Sequence, residues 1–197
     1  MIAALAAPAA LEAARRVLRA RRRVVVVVDG RSGSGKTTFA EALARSSGAG
    51  VLRLDDVYPG WDGLQATAAA LPGEVLAPWR AGRPGRMRRW DWGRDVPGDP
   101  LHVLPGDRLV VEGCGAASRS AAALADLVVW VELAEPVRER RALARDGAAF
   151  APHWDRWAAQ ERRYIARERP DRSAGLVVDG RVLLSGSPSG PQYARSP

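Results

Sequence analysis

The fold is decided by the stretch Val24-Val25-Val26-Val27-Val28-Asp29-Gly30-Arg31-Ser32-Gly33-Ser34-Gly35-Lys36-Thr37-Thr38. Its five consecutive β-branched residues, without polar alternation, are typical of a strand buried on both faces at the centre of a parallel sheet. The segment that follows matches the pattern G-x-x-x-x-G-K-[ST] at every fixed position, from Gly30 to Thr37. An ordinary Gly/Ser turn is the alternative interpretation, but the pattern is complete and lies between the strand and the helix that it requires.

This loop predicts a site for the phosphates of a nucleotide. Its glycines let the backbone turn tightly and point several N–H groups into one concavity, and the dipole of the following helix adds to the attraction. Lys36 is expected to reach the β- and γ-phosphates, and the Thr37 hydroxyl to ligate Mg²⁺. Lys36 is the only lysine of the chain, which indicates a requirement for a compact ammonium group. The candidate nucleotide-binding residues are Gly30, Ser32, Gly33, Ser34, Gly35, Lys36, Thr37 and Thr38.

The bulk composition restricts the class of protein. With 197 residues the chain is long enough for one sizeable core, so we expect a single domain over 1–197. The net charge of +8 raises nucleic acid as a partner, but no run alternates basic and aromatic residues, so this partner is disfavoured. Cys114 is the only cysteine, which favours a reducing cytoplasm. We find no secretory signal and no apolar run that could span a bilayer, and expect a cytoplasmic monomer or homodimer.

Strand and helix patterns alternate along the chain, which predicts a parallel sheet with helices on both faces. The predicted strands are 24–28, 51–54, 108–112, 127–131 and 175–179, the last with an optional turn at Asp179-Gly180 into Val182-Leu183-Leu184. The predicted helices are 9–20, 37–45, 116–125, 137–146 and 153–167, with shorter helical intervals at 65–71 and 75–80. The segment 59–107 is rich in Pro, Gly and Trp, which favours a binding surface over a scaffold. The tail, 186–197, is expected to be flexible.

Two carboxylates follow strands that end beside the loop. Asp55 lies nineteen positions after Lys36, at the end of the second strand, where ligands bind in open α/β sheets. It can act as a general base toward an acceptor hydroxyl or hold a magnesium-bound water. Capping of a turn is the alternative for Asp55 and Asp56, and Asp55 is preferred as the base because it lies nearer the strand. Glu112, at the end of the third strand, is a second acidic anchor.

Three arginines follow the fourth strand at helical spacing. Arg138, Arg141 and Arg145 stand at i, i+3 and i+7, so they share one face of a helix. Arginines that close over a transferring phosphoryl group stabilise its negative charge and exclude water. A solvated face paired with nearby acids is the alternative for any single member, but the set favours a lid.

These motifs together resemble the P-loop kinases of the uridine kinase, nicotinamide riboside kinase and phosphoribulokinase group. The matching segments are Gly30–Thr38, Asp55-Asp56-Val57-Tyr58, Val111-Glu112-Gly113 and Arg138–Asp146. The resemblance implies a three-layer α/β P-loop NTPase fold with a five-stranded parallel sheet ordered 2-3-1-4-5. It also implies a kinase that uses ATP and Mg²⁺ and acts on a hydroxyl, with a lid at 136–153. The implied catalytic residues are Lys36, Asp55, Arg141 and Arg145, and the implied metal-site residues are Thr37, Glu112 and Asp55.

The insertion 59–107 departs from the acceptor-site sequence of uridine kinases. Its tryptophans offer flat apolar faces, its aspartates can accept hydrogen bonds from hydroxyls, and its arginines can meet an anionic group. A nucleoside or a phosphorylated acceptor would suit that mixture, while packing into a small auxiliary core is the alternative for each tryptophan. The candidate acceptor-binding residues are Asp56, Tyr58, Trp61, Arg89, Trp90 and Asp91.

Three functions are compatible with these observations. The first is phosphorylation of a small hydroxylic metabolite, such as a nucleoside or a nucleoside-like compound. The second is a nucleoside monophosphate kinase, which the arginines at 86–89 keep open. The third is a regulatory NTPase that acts on a macromolecule and transfers phosphate only to water.

Overall fold

The computed structural model of the chain describes residues 6–183 and consists of seven strands and eight α-helices over that range. The strands are β1 (Val24–Gly30), β2 (Gly50–Arg53), β3 (Gly85–Asp91), β4 (Val96–Val103), β5 (Arg108–Glu112), β6 (Leu127–Glu132) and β7 (Leu176–Asp179). The helices are α1 (Ala7–Arg19), α2 (Lys36–Ser47), α3 (Leu64–Leu71), α4 (Ala77–Arg80), α5 (Arg119–Ala122), α6 (Glu135–Asp146), α7 (Trp154–Glu168) and α8 (Pro170–Ser173). The predicted tail, 186–197, lies outside the described residues.

Five strands form a parallel sheet in the order β2-β5-β1-β6-β7, which confirms the predicted order. The valine strand β1 is central, and β5 pairs along one of its edges and β6 along the other. Because all five strands run the same way, the loops after β1, β2 and β5 leave the sheet at one edge. The candidate site residues that follow these strands therefore meet there.

The valines of β1 are buried on both faces of the sheet, as their sequence predicted. Val25 and Val27 point into a core that also holds residues of α3 and α7. Val24, Val26 and Val28 point into a second core, built with residues of α1 and α2. Burial of a valine side chain contributes on the order of 1.5 kcal/mol or more, so an apolar strand is stable only between two helical layers. The three-layer architecture follows from this pattern.

The helix after the loop begins and ends at glycines. Gly35 (φ 101°) precedes Lys36, and Gly48 (φ 67°) terminates α2. Both glycines adopt left-handed backbone conformations that L-residues with side chains adopt at a cost. The predicted helix over 37–45 is therefore confirmed, with one further residue at its start and two at its end.

The insertion has more secondary structure than its sequence predicted. The predicted helical intervals are confirmed, but β3 and β4 form an antiparallel hairpin that the sequence did not indicate. The strands of this hairpin contribute Met87, Leu101 and Val103 to the core, and most of their other residues are polar or exposed, so the strands show no continuous apolar alternation. The helix predicted over 116–125 is also shorter, at four residues.

The end of the described chain turns into a 3₁₀ helix over Gly180–Leu183, so the optional strand from Val182 is wrong for the residues described. A strand cannot continue because Gly180 lies against the P-loop. A Cβ atom at Gly180 would come within 2.4 Å of the Ser34 carbonyl oxygen. Among the helices of residues 6–183, none is long and apolar enough to cross a membrane.

Candidate active site

The P-loop leads directly into α2 and surrounds a small cavity. Gly33 has a φ of 78°, and a Cβ atom there would lie 2.1 Å from the Arg138 carbonyl oxygen, so only glycine fits. The cavity has a volume of about 50 Å³ and lies at the start of α2, where backbone N–H groups and the helix dipole favour an anion. It is lined by Gly33, Gly35, Lys36, Thr37, Thr38, Arg141 and Arg145.

The Lys36 side chain lies inside this site with 4% of its surface exposed. Burial works against its ammonium group, but the negative charges of Asp55 and Glu112 act in the opposite direction, and the pKa of Lys36 is raised above its ordinary value. The ammonium therefore stays protonated between two carboxylates, within the cavity expected to hold phosphates.

Thr37 and Glu112 are in direct contact. The Thr37 hydroxyl donates to the Glu112 carboxylate, with oxygen distances of 3.2 and 3.3 Å. Glu112 is fully buried at the end of β5, and burial, together with the charge of Asp55, raises the pKa of Glu112 to about 7. The strand thus brings the predicted acidic anchor to Thr37, the loop residue predicted to bind metal.

The charge of Glu112 predicts a specific pH dependence of stability. Its pKa is about 7 in the folded protein against an ordinary 4.5, so between these values the native state retains a proton that the unfolded chain has released. Stability without metal or nucleotide should therefore decrease as the pH rises from 4.5 to 7. Glu112→Gln should remove this contribution, measured as urea-unfolding midpoints across that range in EDTA. Identical pH profiles for both proteins would contradict the assignment.

Asp55 lies in a 3₁₀ turn, Leu54–Asp56, directly after β2. Its side chain is 8% exposed, and its Oδ2 atom has no hydrogen-bond partner among residues 6–183. Burial raises the pKa of Asp55, while the positive charges of Lys36 and Arg145 act against that rise. The Trp92 indole N–H donates to the Asp55 carbonyl oxygen at 2.8 Å, so the hairpin fixes the backbone of this residue.

The oxygen atoms at this edge of the sheet fit a magnesium ion. Mg²⁺ binds proteins through one or two carboxylates and keeps its remaining positions for water and substrate phosphates. Thr37 provides a hydroxyl and Glu112 a carboxylate for such an ion, and the unpartnered Oδ2 of Asp55 can accept a hydrogen bond from a metal-bound water or from an acceptor hydroxyl. Within the described range no cluster of three or more His, Cys, Asp or Glu side chains could hold a metal, so a larger all-protein cage is not present there.

The three arginines of α6 have different environments. Arg141 donates to the Gly33 carbonyl oxygen at 3.1 Å, and Arg145 pairs with the Asp146 carboxylate at 2.6 and 2.9 Å. Both line the phosphate cavity. Arg138 is 1% exposed and donates to the carbonyl oxygens of Ser32 and Leu133. Arg141 and Arg145 can therefore reach a phosphate in this cavity. Arg138 instead supports the P-loop through its hydrogen bond to Ser32.

Ser32 is placed differently from the expectation for a nucleotide-binding residue. Its backbone N–H donates to the Glu161 carboxylate at 2.6 Å, so this amide is not available to a phosphate. Of the other candidate nucleotide-binding residues, Gly30 and Ser34 are not among those that line the cavity, whereas Gly33, Gly35, Lys36, Thr37 and Thr38 line it. Glu161 was not recognised as a site residue, although it stands among Trp154, Trp157 and Tyr164 on the buried face of α7. A carboxylate on the apolar, buried face of a helix is the sequence feature that could have identified Glu161.

A second buried carboxylate, Asp29, was also missed. It accepts hydrogen bonds from the backbone N–H groups of Gly30, Gly115 and Ala117 and from the Tyr164 hydroxyl. Burial raises the pKa of Asp29 to about 6, against the effect of these bonds. Asp29 thereby connects the start of the P-loop with the loop after β5.

Two candidate acceptor residues have other contacts. Tyr58 is fully buried and its hydroxyl donates to the Cys114 carbonyl oxygen at 2.7 Å, so it has no surface to present to an acceptor. Asp91 accepts the backbone N–H groups of Gly93 and Arg94, which places it as a turn residue at the tip of the hairpin. Both side chains therefore have structural contacts, and the acceptor-binding role expected for them stays a prediction.

Of the other candidate acceptor residues, Asp56 precedes the insertion, and Trp61, Arg89 and Trp90 lie within it. Trp61 stacks on the ring of His153 with centroids 4.3 Å apart, and also contacts Phe150 and Trp92. It therefore packs the insertion against the predicted lid. Arg89 forms an ion pair with Asp56 at 3.5 Å.

A larger cavity of about 450 Å³ lies between α3 and β3. Its charged lining residues are Glu74, Arg86, Arg88 and Arg89, and Trp90 provides an aromatic wall. The lining also includes Val57 and Pro59, which follow Asp55 closely in the chain. This cavity can hold a small molecule and favours one that carries negative charge.

Comparison with known proteins identifies the fold of the chain. No family model matches the chain, and no curated protein matches it in sequence. Among solved structures, a possible uridine kinase from Bacillus stearothermophilus has a TM-score of 0.62 at 19% identity, over 87% of this chain and 98% of that chain. The chain has the P-loop NTPase fold. A candidate fructose transport system kinase from Silicibacter sp. TM1040 has a TM-score of 0.52 at 20% identity. The match covers 88% of the present chain and 98% of the kinase chain. Identities this low show a shared fold and leave the reaction to the site itself.

Proposed function

We propose that this P-loop protein is an ATP- and Mg²⁺-dependent kinase that transfers the γ-phosphoryl group to a hydroxyl of a small metabolite. The observation that carries the proposal is the buried Asp55 carboxylate. It has an oxygen without a hydrogen-bond partner among the described residues, within the field of the P-loop lysine. A structural aspartate would have its oxygens satisfied, whereas a general base needs one free for the substrate.

The residues of the site have different roles in the transfer of the phosphoryl group. Asp55 accepts the proton of the acceptor hydroxyl as that oxygen forms a bond to the γ-phosphorus and the bond to the ADP oxygen breaks. Lys36, Arg141 and Arg145 offset the negative charge on the phosphoryl oxygens, in a site where water is largely excluded. Thr37 and Glu112 would hold Mg²⁺, which supplies further positive charge to the phosphates.

The acceptor is proposed to bind against the insertion, close to Asp55. A nucleoside or nucleoside-like compound suits the aromatic wall and the polar rim of the cavity between α3 and β3. A nucleoside monophosphate is the second candidate, because Arg86, Arg88 and Arg89 all line that cavity. The lid is proposed to lie within 136–153, and the protein to act as a monomer or homodimer in the cytoplasm.

A metabolite screen tests the proposal. The protein is incubated with ATP, Mg²⁺ and a mixed pool of small metabolites, and we expect one compound to gain the mass of one phosphoryl group. Asp55→Asn, run in parallel, should abolish the gain. Steady hydrolysis of ATP without any phosphorylated product would instead favour a regulatory NTPase.

Thermal stability distinguishes the two acceptor classes. A ligand that binds only the native state raises the unfolding midpoint, so a nucleoside and its monophosphate can be compared directly in the presence of Mg·ADP. We expect the nucleoside to stabilise the protein. Stabilisation by the monophosphate alone would support the second candidate, and the shift should then be lost in Arg86→Ala and Arg89→Ala.

A further inference from the structure

Side chains from two helices hold the backbone N–H and the backbone carbonyl group of Ser32. Its N–H donates to Oε1 of Glu161 on α7 at 2.6 Å, and its carbonyl oxygen accepts from the Arg138 guanidinium on α6 at 3.1 Å. The helix α6 forms most of the predicted lid, 136–153, and α7 follows it. The two peptide planes that meet at the Ser32 Cα atom are therefore each fixed by one hydrogen bond.

The two side chains that hold Ser32 are themselves immobilised. Glu161 is 2% exposed, and its second oxygen accepts the Arg31 Nε–H at 3.1 Å. Arg138 is 1% exposed and anchors its Nε to the Leu133 carbonyl oxygen at 2.9 Å. Glu135 pairs with Arg31 at 3.0 Å, so two carboxylates balance two guanidinium groups. Buried charges are tolerated when they are paired and hydrogen-bonded in this way.

Packing restrains the same segment. Because the Arg138 carbonyl oxygen would lie 2.1 Å from a Cβ atom at Gly33, the first turn of α6 and the loop are in close backbone contact. Arg141 adds a hydrogen bond to the Gly33 carbonyl oxygen. The first half of α6 therefore moves with the P-loop, and any lid movement has to begin beyond this turn.

We propose that Glu161 and Arg138 are positioning residues that hold the P-loop in its phosphate-binding shape before a nucleotide arrives. A glycine-rich loop loses much conformational entropy on ordering, and preorganisation removes that cost from the binding step. Ser32 gives up its amide as a phosphate ligand and serves as the point of attachment. The inference rests on the proposed nucleotide-binding role of the loop, but not on any acceptor.

Substitutions of Glu161 test the proposal with Mg·ADP as the probe. Glu161→Ala leaves the Ser32 N–H and the Arg31 Nε–H without their acceptor, so we expect Mg·ADP binding to weaken about tenfold or more by calorimetry. Glu161→Gln retains a carbonyl oxygen for the N–H and should recover part of that loss. In hydrogen exchange without nucleotide, the segment 29–38 should be protected in the natural protein and exchange faster in Glu161→Ala.

A matched control is available on the same helix. Glu168 also accepts a backbone N–H, from Arg119 at 3.1 Å, and pairs with Arg167, but it lies away from the P-loop. Glu168→Ala should lower the unfolding midpoint without changing Mg·ADP affinity. If Glu161→Ala does not fold, Glu161→Gln carries the test, with an expected loss of about threefold in affinity.

The outcomes separate this inference from the proposed function. Natural Mg·ADP affinity and unchanged exchange in both Glu161 variants would overturn the positioning role, whatever the kinase activity. A lower unfolding midpoint with unchanged affinity would show a structural role alone and overturn it too. Loss of affinity in Glu161→Ala, in a protein that phosphorylates no metabolite, would support the positioning role and contradict only the proposed reaction.

Discussion

Asp55→Asn is expected to lower kcat for phosphoryl transfer by about a hundred- to ten-thousandfold, the range that general-base catalysis contributes. Asparagine has nearly the same shape and can keep the backbone bond from Trp92, but it cannot accept the acceptor's proton. Nucleotide affinity should change by less than about threefold, because the phosphates bind to the loop rather than to this side chain. Single-turnover rates and Mg·ADP calorimetry on the same preparation measure the two effects separately.

The neighbouring aspartate provides the control for this assignment. Asp56 has a half-exposed side chain and forms an ion pair with Arg89 at 3.5 Å. Asp56→Asn should therefore affect the affinity for the acceptor more than the rate of transfer. If Asp55→Asn retains the natural rate, or if Asp56→Asn is the variant that loses it, Asp55 is not the base.

The central features of the fold could be predicted because they are encoded locally. Five valines can be satisfied only between two apolar layers, and the glycine pattern after them fixes a turn into a helix. Strand ends carry Asp55 and Glu112 to the same edge of the sheet once the strand order is known. That order places β5 beside β1, which brings Glu112 to the start of α2, where its carboxylate accepts a hydrogen bond from the Thr37 hydroxyl at 3.2 Å.

The support of the site could not be predicted because it depends on long-range contacts. Glu161 and Asp29 accept hydrogen bonds from backbone groups more than eighty residues away in the chain. A single sequence does not show which distant residues form such pairs. The hairpin was missed for a related reason. Its strands are held mainly by pairing with each other, and their exposed arginines give no apolar period.

Lys36→Arg is expected to lower the rate of transfer by about a hundred- to thousandfold, although the positive charge is retained. The site is built for a compact ammonium: Lys36 is 4% exposed, and the phosphate cavity beside it holds about 50 Å³. A planar guanidinium is larger and carries its donors in a fixed fork, so it would occupy the space of the phosphates.

The same substitution tests the electrostatic part of the site. A guanidinium spreads the positive charge over a larger group, which weakens the field that acts against the raised pKa values of Asp55 and Glu112. Both carboxyl groups should then hold protons to higher pH, and Mg·ADP binding should weaken together with the rate. Arg45→Lys is the matched control, because Arg45 lies on the same helix with 72% of its side chain exposed, and it should leave both measurements unchanged. A Lys36→Arg protein with more than about a tenth of the natural rate would show that charge alone is sufficient, and the requirement for a compact ammonium would be wrong.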